Sequence, residues 1–147
     1  MLEPTLITWL FVLFGVVLIL VPMLYAQFLM VRHPQDQKTK DLLIGKDEDW
    51  RDRSHLRNAY GQGWADFIVW FPLFIVGSVG VLLGQHWGYA LWAAAGAISV
   101  YINVVLWFSE REYVYPSRGP LIYYTYYWGF FVYWGIAVLI YAVMRLA

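Results

Sequence analysis

The chain contains no cysteine among its 147 residues. This absence excludes disulfide bonds, thiolate nucleophiles and metal or iron–sulfur sites built on cysteine. Histidine is also scarce, and none of the three lies mid-helix, where paired axial haem ligands would be needed. The sequence carries no glycine-rich phosphate loop, HExxH or GxSxG motif. We therefore expect no metal, the alternative being a mononuclear site of His33, His55 and a carboxylate.

Charged residues are few, at 14% of the chain against about 25% in an ordinary soluble domain. Hydrophobic residues make up 61%, and a membrane span needs about 20 of them in a run. The first 31 residues contain no Lys or Arg, whereas a cleavable signal has a positive leader, so we expect a retained first helix. The sequence predicts a single all-α domain over 1–147, a polytopic membrane protein with a four-helix bundle. Its predicted helices cover about 6–31, 65–83, 87–108 and 120–144.

The cations are confined to two segments of the chain. Nine of the ten Lys and Arg residues lie within 32–63 or 109–119, and Arg145 is the exception. Cytoplasmic loops of membrane proteins carry the excess of Lys and Arg. We therefore expect both segments to be cytoplasmic and both termini outside. The expected partner is a lipid bilayer, and no nucleic-acid partner is expected.

Small residues mark the second and third apolar runs. Gly77, Gly80 and Gly84 share one helical face, and Gly88 opens the third run, which continues with an alanine-rich stretch. Small residues let membrane helices approach closely. The short link between Gly84 and Gly88 therefore predicts a tight antiparallel hairpin.

Polar residues approach the cation-rich side from each apolar run. Gln27 lies about 7 Å and Asn103 about 9 Å from that surface, at 1.5 Å per residue, and Asp66 opens the second run. Polar side chains in lipid are costly and tend to face a bundle interior or a cavity. We expect a ligand cavity at the cytoplasmic end, near the polar break that begins at Glu110. The candidate ligand-binding residues are Gln27, Arg53, Arg57, Asn58, Asp66, Asn103, Glu110, Arg111 and Tyr127.

Each of these residues also has a purely structural interpretation. Gln27 and Asn103 could serve only as hydrogen-bonded contacts between helices. Asp66 could favour a helix N-terminus through the helix dipole. The arginines could be membrane anchors on the cytoplasmic side.

Several short motifs resemble MAPEG, the membrane-associated eicosanoid and glutathione metabolism family. Pro72-Leu-Phe74 is similar to the Pro-x-Phe of that family's second helix, and Gly84 stands where that helix ends. Pro116-Ser-Arg118 is similar to the Pro-x-Arg that introduces the fourth helix. Arg53, Arg57 and Asn58 resemble an arginine- and asparagine-containing pattern that stands about two turns later in the family. In the family that pattern ends with a glutamate, and Val69 occupies its place in this sequence.

The MAPEG resemblance implies a function as well as a fold. It implies a homo-oligomer, a trimer, that binds glutathione and a lipophilic small molecule between subunits. Arg118 and Tyr123 would be the catalytic residues, with Arg118 stabilising the glutathione thiolate by its positive charge. The activity implied is conjugation of glutathione to lipophilic electrophiles.

A second resemblance is to the EXPERA group, which includes sterol isomerases and lipid-binding proteins similar to the emopamil-binding protein. Asp66, followed after five residues by Pro72-Leu-Phe, resembles its Glu-x5-Pro-Phe-Phe, and the stretch from Tyr101 to Glu110 resembles a second motif. This resemblance implies a sterol or isoprenoid isomerase, or a lipid-binding protein, that uses Asp66 and Glu110. A third hypothesis is a non-enzymatic structural subunit of a membrane complex.

Overall fold

The computed structural model describes residues 2–110 and 129–147. Within these ranges the chain forms helices and no strands, and four helices are long and apolar enough to cross a membrane. The predicted all-α four-helix bundle is confirmed. Arg111, Arg118, Tyr123 and Tyr127, which were predicted as site residues, lie outside the described residues. The helices are α1 (Leu6–Arg32), the short α2 (Gln37–Leu43), α3 (Arg53–Leu82), α4 (His86–Ser109) and α5 (Gly129–Leu146).

The outer surface of the bundle is apolar. Leu6, Ile68 and Met144 are 75%, 68% and 71% exposed, and many other large apolar side chains are exposed with them. A surface of this kind is unfavourable in water but suits the hydrocarbon of a bilayer. Together with the four long apolar helices, it fits an integral membrane protein.

Helix α3 begins at Arg53, whereas the apolar pattern places its start near residue 65. Asp52 caps the helix, because its Oδ1 accepts hydrogen bonds from the backbone N–H groups of Ser54 at 2.7 Å and His55 at 2.9 Å. Hydrogen bonds lower the pKa of the Asp52 carboxyl below its usual value, and the bond from the Ser54 side chain contributes most. The polar segment 32–63 therefore contains α2 and the first turns of α3. Hydropathy alone cannot detect them, because their residues are mostly polar.

Two of the spanning helices contain a π-helical segment just before a proline. Gly15–Leu20 precedes Pro22 in α1, and Asp66–Trp70 precedes Pro72 in α3. Proline lacks an N–H group, and its ring clashes with the carbonyl four residues earlier. The wider π turn lets each helix continue through its proline, and such segments are frequent at functional sites. Asp66 is the first residue of the segment in α3.

Aromatic side chains fill the centre of the bundle. The ring centroids of Phe74 and Trp134 are 5.0 Å apart, and those of Trp70 and Phe74 are 5.3 Å apart. Gly15 lies directly over this group, because a Cβ at that position would be 2.7 Å from Phe74 Cζ and 2.9 Å from Trp134 Nε1. A glycine at this point lets α1 pack closely across α3 and α5.

The remaining helices meet through glycines. A Cβ added to Gly88 would lie 2.4 Å from the carbonyl carbon of Gly80, so the tight hairpin of α3 and α4 is confirmed. Helix α4 packs most extensively against α5, and a Cβ at Gly96 would lie 2.7 Å from the carbonyl oxygen of Gly135. In both pairs the two backbones are in direct contact.

Both described ends of the chain lie at the same end of the bundle as the link between α3 and α4. The backbone N–H of Leu2 donates to the carbonyl of Gly84 at 2.7 Å, and Arg145 Nη2 donates to the carbonyl of Glu3 at 2.6 Å. The cations between α1 and α3 lie at the opposite end, which we call the cation-bearing end. The assignment of this end to the cytoplasm stays a prediction based on charge.

We expect the Gly96→Ala variant to be less stable than the native chain by about 1–3 kcal/mol, because the added methyl group has no room against the α5 backbone. Unfolding followed by circular dichroism in detergent micelles would measure this loss. Gly61→Ala is the matched control, because a Cβ there meets nothing within 4 Å. Equal stability of the two variants would show that the α4–α5 contact is not the constraint described.

Candidate functional site

A cavity of about 340 Å³ lies between α1, α3, α4 and α5, toward the cation-bearing end. Most of its wall is apolar, including Met23, Val69, Trp70, Ile102 and Phe131. Ligand sites in proteins are typically apolar hollows with a few polar groups that orient the ligand. Here the polar and hydroxyl-bearing residues of the wall are Gln27, Gln62, Asp66, Ser99, Tyr101 and Asn103.

Gln27 and Asp66 form a hydrogen bond between α1 and α3 at the cavity wall. Gln27 Nε2 donates to Asp66 Oδ2 at 2.8 Å, and Gln27 is only 6% exposed. Gly63 makes room for this contact, because a Cβ there would be 3.0 Å from Gln27 Oε1. The carboxyl group of Asp66 is therefore held in position by a buried partner on the neighbouring helix.

Asn103 supplies the polar group on the α4 side of the cavity. Its Nδ2 donates to the backbone carbonyl of Ser99 at 2.7 Å, and the Ser99 hydroxyl donates to the carbonyl of Phe131 at 3.1 Å. A carbonyl can only accept, so this bond fixes which end of the Asn103 amide is nitrogen. The Asn103 Oδ1 atom is buried and has no hydrogen-bond partner within the described ranges. A buried acceptor without a partner costs about 1–3 kcal/mol, so this position favours an additional donor.

A second polar cluster joins the start of α3 to the end of α4. His55 Nε2 lies 3.0 Å from Glu110 Oε2, and Asn58 Nδ2 donates to Glu110 Oε1. His55 and Glu110 are 4% and 7% exposed. The backbone N–H of Arg51 also donates to His55 Nδ1 at 3.4 Å. Glu110 therefore bridges the two helices in a place with little contact with water.

The cluster and the cavity lie on one polar seam along α3 and α4. His55, Asn58, Gln62 and Asp66 are spaced by three or four residues and share a face of α3. Asn103 and Glu110 share a face of α4 and lie about 10 Å apart along its axis, at 1.5 Å per residue. This spacing was the signal that could have identified His55, which was absent from the predicted ligand-binding residues.

The predicted site residues therefore separate into groups. Gln27, Asp66 and Asn103 meet at the cavity. Asn58 and Glu110 meet in the cluster with His55, and neither lines the cavity. Arg53 and Arg57 are exposed on α3 and do not line the cavity. In the described ranges, no three His, Asp or Glu side chains are grouped closely enough to hold a metal ion.

Comparisons with models of protein families, with curated proteins and with solved structures found no match. The two family resemblances therefore rest on the short motifs quoted above. The function must be inferred from the chemistry of the cavity and of the seam.

We expect Glu110→Ala to lower the stability of the bundle by about 3–5 kcal/mol, because it leaves His55 and Asn58 without their shared buried partner. A double-mutant cycle with His55→Ala, followed by unfolding in detergent, would measure the coupling between the two residues. Glu48→Ala, at an exposed site on the same side of the bundle, is the control. Additive effects of the two substitutions would argue against a direct interaction.

Proposed function

We propose that this protein binds a lipid-like molecule in the cavity between the four spanning helices. The observation that carries the proposal is the position of the Asp66 carboxyl group. Asp66 belongs to a membrane-spanning helix, and it lies on the wall of an otherwise largely apolar cavity. Ionisable residues inside membrane spans are costly, and they commonly mark ligand or ion sites. The polar head of the ligand would contact Asp66 and Asn103, and its apolar body would lie against Trp70, Ile102 and Phe131.

A purely structural role explains these polar residues less well. If they served only to join helices, each polar atom would have its partner in the protein. The Gln27–Asp66 bond meets that expectation for Gln27 Nε2, but Asp66 is only partly buried and Asn103 Oδ1 lacks a partner in the described ranges. A structural subunit without a ligand is the alternative, and it predicts no saturable binding of small molecules.

The chemistry of the cavity favours the EXPERA resemblance for Asp66. Asp66 is available to a ligand as an acid, a base or a negative charge that stabilises a cationic intermediate. Glu110, the second residue in that hypothesis, contacts His55 and Asn58 instead of the cavity. We therefore propose ligand binding. An isomerase activity, if the protein has one, would depend on Asp66 and not on Glu110.

Glutathione conjugation is the second candidate function, and it depends on Arg118 and Tyr123. Both residues lie outside the described ranges, and no Lys, Arg or His lines the described part of the cavity wall. What supports this candidate is the set of motifs shared with MAPEG. In that case the active unit would be a homotrimer, with glutathione and a lipophilic partner held between subunits.

We expect Asp66→Leu to weaken retention of a lipid-like ligand at least tenfold, about 1.4 kcal/mol, because the head group loses its carboxyl partner. Native mass spectrometry in mild detergent would report the retained molecule and the oligomeric state together. Asp66→Asn, which keeps the size of the side chain, tests the role of the charge, and Asp36→Asn at an exposed site is the control. Unchanged retention in both Asp66 variants would contradict the proposed site.

If the protein is a glutathione transferase, Arg118→Ala should abolish conjugation of glutathione to a lipophilic electrophile, since the thiolate would lose its stabilising charge. Spectrophotometric assay of the detergent-solubilised protein measures this directly. Lys46→Ala, which removes an exposed cation, is the control and should keep full activity. Full activity of Arg118→Ala would exclude that catalytic role.

A further inference from the structure

We infer that the ligand of this cavity carries a hydrogen-bond donor, a hydroxyl or an amine, at the end of an apolar body, and that acidic lipids are rejected. This inference rests on the proposed function, and it concerns the head group that the same cavity selects. It follows from the hydrogen bonds of the wall, taken donor by donor and acceptor by acceptor.

Each buried donor group of the described wall makes one hydrogen bond within the protein. Gln27 Nε2 donates to Asp66, and Asn103 Nδ2 donates to the carbonyl of Ser99. The indole N–H of Trp70 donates to the carbonyl of Ala95 at 3.2 Å, and the Ser99 hydroxyl donates to the carbonyl of Phe131. The amide groups of Gln27 and Asn103 each keep a second N–H, whereas the Trp70 indole and the Ser99 hydroxyl have no further proton to donate.

Further donors lie in the less buried part of the described wall. Gln62 is partly exposed and Tyr101 is 70% exposed. Both residues can also accept hydrogen bonds, so a donor head group is compatible with them. The buried part of the wall is what discriminates between head groups.

Two acceptors of the described wall have room for a further donor. A carboxylate has about four lone-pair positions, and one hydrogen bond, from Gln27, reaches Asp66 from the described residues. Asn103 Oδ1 is buried and has no partner within the same ranges. An arriving hydroxyl or ammonium group would supply the missing donor. Satisfying a buried acceptor in a surrounding of low polarity is more favourable than the same bond at a wet surface.

The charge of the wall also favours a neutral or cationic head group over an acidic one. Asp66 is the one carboxyl group among the described wall residues, which include no Lys, Arg or His. When Asp66 is ionised, a phosphate or carboxylate head would bring a second negative charge into a poorly solvated space, where like charges repel strongly. A neutral alcohol avoids this repulsion, and a protonated amine gains attraction from Asp66.

The test compares four probes with one alkyl chain: a long-chain alcohol, its methyl ether, the amine and the carboxylic acid. Native mass spectrometry of the full chain in mild detergent gives the affinity of each. We expect the alcohol and the amine to bind at least tenfold more tightly than the ether and the acid. The alcohol-to-ether ratio should fall toward one in Asn103→Leu and in Asp66→Leu, and either variant serves if the other fails to fold.

The two donor probes are distinguished by Asp66→Asn, which should remove any preference for the amine over the alcohol. Gln85→Leu, an amide-to-apolar change at the opposite end of the bundle, should leave every ratio unchanged. Saturable binding with equal affinity for alcohol and ether, or tighter binding of the acid, would overturn the inference while leaving the proposed lipid site intact. Absence of saturable binding for all four probes would instead overturn the proposed function, and the inference with it.

Discussion

The hydrogen bond from Gln27 to Asp66 constrains the half of the bundle that carries the cavity. It joins α1 to α3 inside the region that a bilayer would cover, where a carboxyl group without a partner is strongly unfavourable. The bond requires close approach of the two helices, and Gly63 permits that approach because it has no side chain. Asp66 also begins a π-helical segment that lets α3 continue through Pro72. One contact thus fixes the polar side of the cavity and the course of the helix beyond it.

The two ends of the bundle use polar residues in different ways. At the end that holds the described termini, Thr8 is fully buried, and its hydroxyl lies 2.7 Å from the hydroxyl of Tyr141 and 3.3 Å from that of Tyr89. These hydroxyls satisfy one another, which suits a structural contact between helices. In the cavity, by contrast, Asn103 Oδ1 is buried and has no hydrogen-bond partner among the described residues. The proposed site differs from ordinary helix packing because it holds a buried polar atom without a hydrogen-bond partner, and not because it has more polar residues.

Composition and hydropathy were sufficient to predict the four spans, because membrane helices must be long and apolar whatever their function. The meeting of Gln27, Asp66 and Asn103 was also predictable, since polar groups in spans turn toward one another. Which of Arg57 and Asn58 contacts α4 could not be predicted. Adjacent residues on a helix project about 100° apart, so the two side chains cannot face the same neighbour, and it is Asn58 that donates to Glu110. That distinction needs the phase of the helix, and hydropathy had assigned this stretch to a loop. His55 was missed for the same reason.

The charge that Asp66 carries when it is ionised also bears on the choice between the two family resemblances. A thiolate is stabilised by nearby positive charge, and a carboxylate close by in a medium of low dielectric constant opposes it. Any cation that reached this wall would first pair with Asp66, so a second cation would be needed to hold the thiolate of glutathione. The described wall supplies neither. A ligand that donates hydrogen bonds needs no further residue, because Asp66 and Asn103 already provide its acceptors. With Asp66 ionised, glutathione chemistry at this cavity therefore requires cations beyond those of the described wall.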